Sequence, residues 1–114
     1  MCLRFFNALA NLYARLLGYR YSAPLGDARV LYVWRNPWPG MAAMTIGERI
    51  ISTYKLNPAM PFAKHELEHV RQWRKWRCLF PVLYLLASLY ALITTGRPYY
   101  DNYFERKARE TEDE

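Results

Sequence analysis

His65-Glu66-Leu67-Glu68-His69 carries both histidines of a 114-residue chain, four positions apart. On an α-helix, residues i and i+4 project from one face, so the two imidazoles can grip a single metal ion. A carboxylate beside the first histidine is then placed to work on a water held by that ion. The geometry demands a helix, and the flanking residues supply one. Pro61 suits a first helical position, where its missing N–H costs nothing. The expected helix runs from residue 61 to about 77.

The H-E-x-x-H pattern resembles that of the zincin metallopeptidases, a group of zinc-dependent hydrolases. The resemblance implies Zn2+ held by His65 and His69. It also implies Glu66 as the general base, taking a proton from a zinc-bound water that attacks a carbonyl. Catalytic zinc takes three protein ligands. There is no third histidine, so the third must be a carboxylate or a cysteine. Cys78 falls two turns on and on the far side of the helix, and is discounted. Glu105 is the leading candidate. It sits in Asn102-Tyr103-Phe104-Glu105-Arg106-Lys107-Ala108, which reads N-x-x-E-x-x-A. That context is similar to the downstream helix of the gluzincins, and the chain looks like a very small, minigluzincin-like member. The small Ala108 would let this helix approach the histidine helix closely. Glu110 and Asp101 are the runner-up ligands.

Two ambiguities stay open at this level. The same five residues also fit H-x-x-E-H, the inverted motif. At about 100° per residue, Glu66 and Glu68 flank the histidine pair symmetrically, so helix geometry does not choose. The downstream N-x-x-E pattern favours Glu66. A second oxyanion donor would come from Tyr99, Tyr100 or Tyr103. Gln72, about one turn beyond His69, is placed to hydrogen-bond behind the metal. In zincins an edge strand before the active-site helix binds extended substrate, and residues 42–45 or 49–54 would serve.

Working outward, residues 3–17 place Leu3, Phe6, Leu9, Tyr13, Leu16 and Leu17 at helical spacing, with Gly18 as the stop. This helix is expected to pack on the core, with a peripheral membrane anchor as the alternative. Residues 29–34 read as a strand. Residues 36–40 hold two prolines and a glycine and read as a turn. A hairpin is expected from 42–45 and 49–54 around Ile46-Gly47-Glu48. A helix over 81–94, closed by Gly96-Arg97-Pro98, precedes a last helix capped by Asp101 or Asn102. The fold class expected from these elements is α+β, and the resemblance implies a minimal zincin-like arrangement of it. It comprises an N-terminal helix, a small antiparallel sheet and three helices, the first of them the H-E-x-x-H helix. All of it forms a single domain over 1–114.

Hydrophobic residues make up 53% of the chain and aromatic residues 17%, which excludes a disordered class. The net charge of +6 permits nucleic acid or anionic lipid as partner, but no nucleic-acid motif is present. Arg71, Arg74, Lys75 and Arg77 read as a solvated face with Trp73 and Trp76 turned inward, the alternative being a nucleic-acid or phospholipid contact made by these bases and the two interleaved tryptophans. Residues 79–93 are almost wholly apolar. As a helix they span about 22 Å against roughly 30 Å of bilayer hydrocarbon. Burial, or packing against a second copy in a homo-oligomer, is expected instead. Cys2 and Cys78 read as reduced thiols of a cytoplasmic protein. The N-terminal stretch, broken by Arg4, Asn7, Asn11 and Arg15, lacks the core of a secretory signal.

The expected function is that of a zinc-dependent hydrolase acting on a peptide or protein. The rivals are a non-enzymatic interaction protein with a structural zinc, and a membrane-associated module.

Overall fold

A computed structural model describes residues 2–113. The elements run α1 (Cys2–Leu16), β1 (Tyr19–Leu25), β2 (Ala28–Val33), β3 (Ala43–Ile46), β4 (Arg49–Ser52), α2 (Pro61–Trp76), α3 (Phe80–Thr95) and α4 (Tyr103–Thr111). A short 3-10 turn, Arg77–Leu79, joins α2 to α3. The architecture is mixed α+β, with an N-terminal helix, a four-stranded sheet and three further helices.

The sheet order is β1-β2-β4-β3. β1 pairs β2 and β3 pairs β4 in antiparallel fashion, but β2 and β4 are parallel. The wholly antiparallel sheet expected from sequence is thus corrected to a mixed one. The reason lies in β4, where Ile50 and Ile51 are adjacent and both fully buried. Adjacent strand residues face opposite sides, so this strand needs cover on both faces and takes an interior place. Ile50 packs with Val30, Leu56, Ala63 and Val70 beneath α2. Ile51 packs with Ala10, Ala14, Leu31 and Val33 beneath α1. Two helices therefore clasp the sheet, and β3 is left at an edge.

α1 meets the sheet closely through its small residues, flanked by half-buried Tyr13 and Leu17, while Leu3 and Phe6 of the expected stripe pack on the cluster around Trp73. Ala10 and Ala14 are buried, while Leu9 and Leu16 of the expected core stripe are exposed. The β3–β4 turn explains this close approach. Gly47 has φ +63, and Asn7 of α1 receives Glu48 N–H at 2.7 Å. A Cβ on Gly47 would meet Asn7 Oδ1 at 2.6 Å, so only glycine lets helix and turn come together.

A third cluster, Trp73, Phe80 and Phe104, joins α2, α3 and α4. α2 ends at Arg77, whose φ of 52 turns the chain sharply away from the helix axis. Two expectations fail here. Cys2 and Cys78 are joined in a disulfide, Cα to Cα 5.4 Å, rather than held as free thiols. The chain brings the start of α1 against the α2–α3 joint, which sequence spacing does not reveal. Trp76 is partly exposed rather than turned inward. The apolar stretch around 79–93 is not buried within the chain. In α3 the buried residues are Phe80 and Ala91.

Candidate metal centre

α2 presents Ala63, Glu66, His69, Val70, Gln72 and Trp73 as its buried face. Ala63 and Val70 serve the sheet core, which fixes the helix rotation and turns the histidines toward α4. α4 begins at Asn102, the N-cap, whose Oδ1 accepts from Phe104 N–H at 2.8 Å. Asn102 Nδ2 donates to Tyr84 O at 3.1 Å and to Ser88 Oγ at 2.8 Å, tying α4 to α3. Ala108, wholly buried, lets α4 lie along α2. Gln72 Nε2 and Thr111 Oγ1 then donate across this contact to Phe104 O and Lys64 O.

The result is a three-residue cluster. Glu105 Oε1 lies 3.1 Å from His65 Nε2 and 3.1 Å from His69 Nε2. One ligand atom from each residue falls within 4.8 Å of the others. Two donors each about 2.1 Å from one tetrahedral ion sit about 3.4 Å apart, so the spacing fits a metal with little movement. His65, His69 and Glu105 together form a group able to hold a metal ion.

The far nitrogens are also engaged. His69 Nδ1 is 2.9 Å from Gln72 Oε1, and His65 Nδ1 is 2.9 Å from Glu112 Oε2. Acceptors at both Nδ1 atoms hold a ring proton there, so that a bound metal would displace the Nε2 protons facing Glu105 and take those two nitrogens. Gln72 thus takes the place expected of it. Glu112 was not foreseen.

Charge balances the cluster. Burial disfavours the Glu105 carboxylate, but hydrogen bonds from His65 and His69 outweigh it and hold its pKa well below the usual range. Burial likewise opposes charge on His69, yet its bond to Glu105 and the charge there raise its pKa to about 9. His65 is raised too, its bond to Glu105 overcoming burial. Tyr84 donates to Glu105 Oε2 at 2.5 Å. Burial, then the Glu105 charge, push its phenol far upward. Tyr99 is pushed up to about 12 for the same reasons.

A cavity of about 590 Å³ opens beside the cluster. Its walls include Met44 and Thr45 of the edge strand β3, Glu66, His69, Trp73, Tyr84, Tyr99 and Glu105. Thr45 Oγ1 donates to Glu66 Oε1 at 2.7 Å. Glu68 instead accepts from Arg71 at 2.9 Å on the surface. The runner-up ligands lie elsewhere. Asp101 pairs with Arg97, and Glu110 with Lys107. Of the three tyrosines considered, Tyr99 lines the cavity, Tyr100 stacks under Arg97 and Arg109, and Tyr103 is exposed. Tyr84 escaped the sequence reading. Its signal was a lone phenol on the face that also carries Phe80 and Ala91.

Compared with protein-family models, with curated proteins and with solved structures, the chain gives no match.

Proposed function

We propose that the protein is a zinc-dependent hydrolase of the zincin type, most similar in pattern to the gluzincins, acting on peptide bonds. The observation that carries the reading is the position of Glu66. Its carboxylate shares a cavity wall with His69 and Glu105, and is held there by Thr45. Zinc is the ion that best suits two imidazoles and a carboxylate in a buried, closely spaced set, where it serves as a Lewis acid and lowers the pKa of a coordinated water.

The chain's own groups have definite tasks. His65, His69 and Glu105 would hold the ion through Nε2, Nε2 and a carboxylate oxygen. Gln72 and Glu112 fix the two imidazole rings. Glu66 would accept a proton from the attacking water and return it to the leaving amine. The Thr45 hydroxyl, bonded to Oε1, orients that carboxylate. Tyr99 stays protonated at neutral pH and offers a phenol to an oxyanion. β3, at the sheet edge and beside the cavity, offers unpaired backbone groups to an extended segment.

The test is the pair Glu66→Gln and Glu68→Gln, assayed on unfolded proteins and peptides. Glu66→Gln should retain zinc and lose about 10²–10⁴ in rate, while Glu68→Gln should change it little. The reverse ranking would assign the base to Glu68. Equal, small effects would make the metal structural.

A further inference from the structure

α3 carries two apolar faces. One, through Phe80, Leu83, Tyr84 and Ala87, packs on the domain. The opposite face repeats Val82, Leu85, Leu86, Leu89 and Ile93 at three- and four-residue steps. Their exposures are 54%, 68%, 56%, 52% and 75%. The most apolar 18-residue window along this part of the chain has mean hydropathy 1.9 and is only 11% buried. So much contiguous apolar surface marks a docking face.

Charge identifies what covers it. From His69 to Tyr100 the sequence has no acidic residue; of its bases, Arg71 pairs with Glu68, Arg74 with Asp27 and Glu48, and Arg97 with Asp101, which leaves Lys75 and Arg77 outside these ion pairs. The bases sit with aromatics at the two ends of the apolar face. Lys75 Nζ lies 5.2 Å from the Trp76 ring, beside exposed Leu79. The disulfide brings Arg4 and exposed Phe5 to this end. At the other end Arg97 and Arg109 lie 4.8 and 4.0 Å from the Tyr100 ring, beside exposed Tyr99. Two copies packed through this face would set Lys75 and Arg77 of one against the same bases or against Arg109 of the other. Anionic lipid meets both features at once, hydrocarbon for the leucines and phosphate for the bases.

We propose that the outer face of α3 seats the protein on an anionic membrane surface, with the helix lying in the interface. It does not cross the bilayer, because its inner face is tied along its length to α4. Asn102 bonds Tyr84 and Ser88, and Tyr84 bonds Glu105. Crossing would carry those polar groups into hydrocarbon. This surface borders the cavity, whose wall includes Leu85 and Tyr99, but its binding to lipid does not require the hydrolase reading.

The test is flotation of the disulfide-intact protein with vesicles of phosphatidylcholine alone and of phosphatidylcholine with phosphatidylglycerol. Binding should be strong only with the anionic vesicles and should fall with salt. It should drop roughly fivefold for each of Lys75→Ala and Arg77→Ala. Leu86→Glu with Leu89→Glu should abolish it while the circular dichroism stays native. If that pair misfolds, quenching of Trp76 fluorescence by brominated lipid in the wild type, lost in Trp76→Phe, decides instead. Absence of binding to both vesicles overturns the proposal. So does a wild-type dimer that ignores vesicles and that Leu86→Glu with Leu89→Glu splits. Equal binding to both vesicles overturns the role of charge.

Discussion

The Oε1 atom of Glu105 faces both imidazoles at 3.1 Å, so at residue scale one carboxylate closes the candidate centre. Behind it, Gln72 and Glu112 each hold one ring by its Nδ1. Partners in that position typically govern 10- to 100-fold in metal affinity. Glu112→Ala and Gln72→Ala should each weaken zinc binding by about that factor in calorimetry, while Glu110→Ala should leave it unchanged. An effect of Glu110→Ala equal to theirs would contradict the geometry. His65, His69 and Gln72 were legible in the sequence from helical spacing, a local property, and Glu105 through the resemblance of N-x-x-E-x-x-A to the gluzincins. Tyr84 and Glu112 were not. Each reaches the cluster from another helix, and only the packing of α3 and α4 on α2 brings them in.

At the scale of elements, the helices were readable from periodicity, Pro61 and Asn102. The sheet was half-readable. β1 escaped because Tyr19–Leu25 has an exposed, mixed pattern that ends in one buried leucine. The parallel pairing of β2 with β4 depends on which strand of the hairpin faces inward, a tertiary choice. The disulfide was read wrongly for the same reason, since its cysteines are 76 residues apart. A bond closing so long a loop typically contributes about 2–4 kcal/mol. Reduction, or Cys2→Ser with Cys78→Ser, should therefore lower the urea midpoint clearly without changing zinc content. An unchanged midpoint would show that the α1–α3 joint is held by packing alone.

For the whole molecule, a bound metal and the proton would compete for one cluster. In the metal-free protein His69 titrates near 9, above its ordinary 6.5, so its stabilisation is full below 6.5 and is lost as pH rises through about 9. Glu105 is depressed below its ordinary 4.5, so its contribution is present above 4.5 and is lost as pH falls further. Thermal melts in chelator should show the cluster's contribution greatest between these values and declining toward pH 9. Zinc needs neutral imidazoles, so the gain in melting temperature on adding it should widen over the same rise. A zinc gain that shrinks toward pH 9 would contradict this linkage. Whether these three residues form a zinc centre is tested most directly by elemental analysis of the purified chain. About one zinc per molecule is expected, falling to background in the His65→Ala, His69→Ala double variant and sharply in Glu105→Ala. Absence of metal from the wild type supplied with zinc, or full retention in the double variant, would contradict it.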